Sequence, residues 1–212
     1  FKLHAGDVLS FVGSRPMSRA FLDFIGFKTN RVSDAMIVGG GDVAYYLASP
    51  FMLILVLLPR TMMATSILIL QLAKIGTAAV TFMFFLKKIS VQKPKTISLI
   101  IFPTMYALMS YMVVQLMDPM WLDGLIYLPL ICWGVHRLVD EGKLVPYIVP
   151  LALMFIAHFY IGYMVGIFTF FYFCWYCLSR EGRILPKKFF SRCVAFGIGT
   201  LVALMCAAFV LI

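Results

Sequence analysis

Residues 144–178 contain no Asp, Glu, Lys or Arg. Few environments accept 35 consecutive residues of that kind. One ordinary membrane-spanning helix needs only ~20 apolar residues, so the run is too long for a single crossing. His158, Phe159, Tyr160, Ile161 and Gly162 interrupt it, and two closely joined spans turning near His158 account for its length.

Composition carries the same message to the whole chain. Hydrophobic residues make up 63% of the sequence and charged residues 13%, with a mean hydropathy of +0.98. Soluble domains carry roughly 45–50% apolar and about 25% charged residues. Too few charges are present to coat a water-facing surface, so the expected fold is an all-α polytopic transmembrane helix bundle. Secreted disulfide scaffolds, soluble cofactor domains and nucleic-acid-binding modules are excluded. The net charge of +9 reads as basic cytoplasmic loops rather than a nucleic-acid surface.

Residues 1–44 hold mixed charges and no apolar run long enough to cross, which predicts an extramembrane loop with one interfacial helix. Residues 45–212 form the helical part, with about six membrane-embedded segments. Residues 45–58 suit a re-entrant or interfacial segment. Residues 62–86 and 97–117 read as full spans. Residues 124–138 form a short apolar segment with Pro129 inside. The two spans of 144–178 follow, and a last span starts near Cys193. The sequence opens on Phe1 and closes inside an apolar run, so a fragment of a larger protein is expected.

Loop charge sets the orientation. The loops after Leu86, Val135 and Leu178 carry 4, 2 and 5 Lys plus Arg. The opposite turns, near Arg60, Asp118 and Tyr160, carry 1, 0 and 0. The basic side is expected to be cytoplasmic, with residues 1–44 and 118–123 outside.

Lys74 lies deep in the first full span, with Gln71 one turn earlier on the same face. An ammonium at that depth costs ~2.5–3.5 kcal/mol on insertion scales and faces a bundle interior or a wet cavity. It serves as a cationic contact for a phosphate or carboxylate, or as half of a structural ion pair. Asp118 and Asp123 flank Trp121 at the expected outer interface. Two such carboxylates have the chemistry to hold a divalent cation, act as a general base or bind a sugar. Turn formation by Asp118-Pro119 and helix capping by Asp123 are the plainer alternatives. Both carboxylates are expected to face an outer cavity beneath residues 1–44, with Asp123 the stronger candidate for chemistry.

Cys174 and Cys177 share the CxxC spacing, but all five cysteines sit in apolar runs and read as small buried hydrophobes. A lone His158 reads as structural. Gly162 and Gly166 form a GxxxG, which predicts close helix packing. No Walker loop, HExxH or nucleophile elbow occurs.

Four stretches in order, GGGDVAYYLASPFMLILVLLP (39–59), LAKIGTAAVTFMFFLKK (72–88), MDPMWLDGLIYLPLICWGVHRLVDEGK (117–143) and PYIVPLALMFIAHFYIGYMVGIF (146–168), resemble the YfhO family of bacterial multi-span membrane proteins. The resemblance extends over most of residues 39–212, and MWLDGLIYLPL and FYIGYM are its most specific pieces. It implies a GT-C-type glycosyltransferase. Such an enzyme takes a sugar from a lipid-phosphate carrier, typically undecaprenyl phosphate. It passes the sugar to an outer-face acceptor, a cell-envelope polymer such as lipoteichoic acid. It also implies a catalytic or metal-binding Asp in a first external loop. Residues 1–38 do not match that segment, so neither Asp7 nor Asp34 takes the role by matching.

Under this reading Asp123 or Asp118 takes the acceptor's proton, and Lys74 or Arg60 meets the carrier phosphate. Trp121 and Tyr160, with Tyr45 and Tyr46, offer aromatic faces to a sugar. The cofactor stays open, a divalent cation being compatible with the carboxylates. A transporter or flippase using Lys74 as a midplane contact is the competing class. A scaffold without chemistry is the third.

Overall fold

A computed structural model describes residues 49–52, 54, 63–90, 92, 94–180 and 186–211. Among these residues the α-helices are α1 (Met63–Ile89), α2 (Thr96–Ala107), α3 (Ser110–Val114), α4 (Asp123–Glu141), α5 (Val145–Ala157), α6 (Phe159–Ser179) and α7 (Pro186–Leu211). Short 3-10 turns occupy Pro50–Met52, Gln115–Met117 and Pro119–Leu122. No strand occurs among the described residues. Among the described residues, four stretches are long and apolar enough to cross a membrane: Thr65–Ile89, Pro119–Glu141, Phe159–Ser179 and Phe189–Ala208. The expected polytopic helical bundle is therefore what the chain forms. Residues 1–44, Tyr45, Tyr46 and Arg60 lie outside the described residues.

The helices alternate in direction. α1, α4 and α6 run the same way, because their contacts advance together. Lys74 meets Asp123, Phe84 meets Trp133 at 5.0 Å, and Phe85 meets His136 at 6.2 Å. Between α4 and α6, Trp121 approaches Tyr160 at 6.5 Å, His136 bonds Tyr172 at 2.7 Å, and Asp140 bonds Tyr176 at 2.8 Å. α2, α5 and α7 return. One end of the bundle thus gathers the turns at 108–123 and at His158. The other gathers Lys88, Arg137 and Arg180, with Arg192 beside Gly142.

α4 is the central helix. Ile131, Val135, Leu138 and Val139 on it pack against Leu151, Met154 and Phe155 of α5 and Phe173 and Cys177 of α6. Ala203 and Ala207 of α7 close the same core. A second cluster, Ala78, Met112, Leu122 and Ile126, ties α1 to α3 and the turn. Close approach of α4 and α5 rests on Gly134, where a Cβ would lie 2.6 Å from Tyr147 Cα. A Cβ on Gly162 would lie 2.7 Å from the Phe155 ring, so the GxxxG face does meet a neighbouring helix. The outward faces stay apolar: Leu68, Leu72, Ile100, Phe102, Phe171 and Leu201 are all exposed, as lipid-facing side chains are.

Two sequence expectations are corrected. Residues 97–117 do not form one span. Met109 adopts an extended backbone (φ −62°, ψ 155°), and α2 stops after 12 residues. The 124–138 segment is longer than expected. α4 runs through Arg137, Asp140 and Glu141, whose charges are paired at its end, and the Pro119–Leu122 turn brings the apolar stretch to 23 residues. Gly142 then stops the helix in the left-handed region (φ +75°). Its N–H reaches Leu138 O, the bond of an αL closure, and that of Lys143 reaches Arg137 O.

Candidate functional site

Every fourth residue of α1 points inward: Ser66, Leu70, Lys74 and Ala78, followed by Thr81, are buried. Lys74 belongs to that stripe by helical spacing alone. It lies roughly 16 Å along the axis from Met63, at 1.5 Å per residue. Its ammonium is fully buried and sits 2.8 Å from Asp123 Oδ1, which is also fully buried. Lys74 Nζ also donates to Pro119 O at 2.9 Å. The Phe51 ring lies 5.5 Å away, and buried Ser49 adjoins the Asp123 carboxylate.

The broken α2–α3 stretch explains the polar groups beneath it. A chain that leaves helical geometry at membrane depth exposes carbonyls that neither lipid nor a regular helix can satisfy, at several kcal/mol each. Gln71 Nε2 donates to Leu116 O at 2.7 Å, and Lys74 takes Pro119 O. Tyr106 OH donates to Leu125 O at 2.8 Å. Gln71 and Lys74, one turn apart, therefore form a polar shelf that carries the 115–122 turns inside the bundle.

Asp123 is the first residue of α4, where a carboxylate also meets the positive end of the helix dipole. It is not the N-cap. That position is Leu122, without a side-chain cap bond. The expectation that Asp123 faces an outer cavity is corrected: the carboxylate points into the bundle because Lys74 holds it there. Asp118 behaves differently. It is exposed, and only its backbone is engaged, accepting from Trp121 N at 3.0 Å and donating to Gln115 O at 3.1 Å. The two carboxylates do not suit a shared divalent cation, since one is already matched by an ammonium. Among the described residues no three His, Cys, Asp or Glu side chains come together as a metal-binding set.

Trp121 and Tyr160 are brought together as expected from their shared end, with ring centroids 6.5 Å apart. Tyr160 is exposed, whereas Trp121 is partly buried. Trp121 Nε1 is buried and makes no hydrogen bond among the described residues. His158 is the N-cap of α6, its Nδ1 accepting from Ile161 N at 3.1 Å. This capping bond supports the structural reading of His158.

Sequence reasoning placed Lys74 and Asp123 separately and missed their pairing. The signal was present: between residues 43 and 139 the acidic side chains are Asp118 and Asp123 alone. A buried ammonium in that interval had only those two partners nearby in sequence. Ser49 and Phe51 carried no comparable signal.

The membrane-type helical bundle agrees with comparison at the family level. Searches of curated proteins and of solved structures find no match. A family model for the bacterial membrane protein YfhO matches residues 40–212, and the chain belongs to that family.

Proposed function

We propose that the chain is the membrane part of a GT-C-type transferase that moves a sugar from an undecaprenyl-phosphate carrier to a cell-envelope acceptor on the outer face. The observation that carries this reading is the helical path of residues 108–122, broken into short α and 3-10 pieces and held inside the bundle by Gln71 and Lys74. Backbone that leaves the regular α-helix at that level is tolerated where it is buried in protein or lines a cavity, and such a polar floor suits a transfer site for a lipid-linked sugar. The Lys/Arg alternation supports an outside position for this end.

Within this proposal Asp118 is the accessible carboxylate that takes the acceptor's proton. The Lys74–Asp123 pair positions the turn that presents it. Trp121, with its open indole N–H, and Tyr160 face the sugar. Arg60 remains the cation proposed for the carrier phosphate. The complete protein in liposomes with radiolabelled undecaprenyl-phosphoryl sugar provides the test. Asp118→Asn is expected to slow transfer roughly 10²–10⁴-fold, the range of general base removal, with unchanged helix content. Transfer at the parental rate would remove Asp118 from the chemistry. The intramembrane ion pair also suits a flippase. That reading predicts carrier movement across the bilayer with no new glycosidic bond.

A further inference from the structure

The end of the bundle opposite the sunken turn contains a cleft of about 290 Å³ between α1, α4 and α6. Three cations line it: Lys88, Arg137 and Arg180. Each lies over an aromatic ring four residues earlier in its own helix. Lys88 Nζ is 5.6 Å from the Phe84 ring, Arg137 5.8 Å from Trp133, and Arg180 5.2 Å from Tyr176. The same aromatic-xxx-cation spacing recurs on three helices, and their parallel register brings all three to one level. Flat aromatic faces hold the long side chains extended, which reduces the entropy lost when a ligand is gripped.

The cleft is electropositive in balance. Its two carboxylates, Glu141 and Asp140, are occupied by Arg137 and by Arg180 at 3.1 Å. Tyr176 OH donates to Asp140 at 2.8 Å and accepts from Arg180 at 2.7 Å, which fixes that guanidinium. Lys88 is exposed and makes no ion pair among the described residues. Arg137 Nε is buried and makes no hydrogen bond among the described residues. The unpaired Lys88 ammonium and the Arg180 guanidinium, whose Nη1 makes none of these bonds, thus border a single cleft, where they suit a phosphate oxygen.

The position narrows the ligand further. Lys88 stands in the last turn of a membrane-length helix, at headgroup level, and exposed apolar residues such as Trp175 and Leu178 lie on the neighbouring outer face. We infer that this cleft is a binding site for a phosphate-bearing anion, with a net-anionic lipid headgroup, one whose phosphate has no ammonium of its own beside it, as its fitting form.

The test uses the purified whole chain in neutral detergent, titrated with phosphatidylglycerol or phosphatidylcholine and read by native mass spectrometry. Saturable retention of phosphatidylglycerol, not phosphatidylcholine, is expected. Lys88→Gln and Arg180→Gln should each weaken it about tenfold, the effect of one charge-assisted contact. Lys87→Gln, which alters an exposed neighbour outside the cleft, should stay within about twofold. Lys88→Gln breaks no ion pair, so loss of fold does not confound it. Inorganic phosphate forms the second arm. Competition by phosphate with the same dependence on Lys88 and Arg180 would assign the site to a free anion and keep the anion assignment. Equal effects of Lys87→Gln and Lys88→Gln, or equal retention of both lipids, would overturn the site and leave three ordinary interfacial anchors.

Discussion

Lys74 and Asp123 are worth more together than either is alone. Each was taken out of water, and each is tolerable because the other lies 2.8 Å away with Pro119 O supplying a further acceptor. Removing one partner of a buried pair costs roughly 3–5 kcal/mol, because a charge is stranded, whereas replacing both with apolar groups is often neutral. Lys74→Met is therefore expected to lower the thermal unfolding midpoint sharply in detergent. Lys74→Met with Asp123→Leu should recover most of the loss. If the double variant folds and also retains transfer, the pair is purely structural; if it folds and is inactive, the charges serve the chemistry. Failure of the double variant to recover stability would contradict the pairing described here. The stripe that buries Lys74 was readable from helical spacing. Its partner was readable only by asking where the nearest carboxylates lay.

Among the elements, the outcome depended on whether local residues or distant ones decide the backbone. α1 was expected over 62–86 and occupies Met63–Ile89, because a long apolar run that closes on Lys87 and Lys88 specifies its own extent. The turn at His158 was legible from a run too long for one helix. The break after Ala107 was not: neither Gly nor Pro stands at Leu108 or Met109, and the carbonyls of the 115–122 turns that follow it are met by Gln71 and Lys74 from another helix. The α4–α5 contact rests on the missing side chain of Gly134. Gly134→Ala would press a methyl against the Pro146–Tyr147 backbone, which cannot rotate away as a side chain does. A loss of about 1–3 kcal/mol, the usual range for overpacking, is expected in a reversible unfolding titration. Gly76→Ala, with open space around it, should stabilise or leave stability unchanged.

At the scale of the whole molecule, hydropathy and loop charge were enough to give a lipid-embedded bundle with alternating helices. They were silent on the cleft at the basic end, because its cations read simply as loop charge until the register placed them together. The alternation predicts a labelling pattern. In a cysteine-free background, Asp118→Cys should react with an impermeant thiol reagent from one face only, and Lys143→Cys and Ser90→Cys from the other. Reaction of Lys143→Cys and Ser90→Cys from different faces would break the topology. The ion pair also imposes an order on the birth of the protein. α1 leaves the ribosome with its ammonium uncompensated, and the carboxylate that relieves it lies at Asp123, beyond α2 and α3. An isolated α1 carries a penalty of ~2.5–3.5 kcal/mol at the translocon. Nascent chains ending before Asp123 should therefore hold α1 shallow or only partly inserted by glycosylation mapping. Chains that include α4 should seat it fully, so that a later helix completes the insertion of an earlier one.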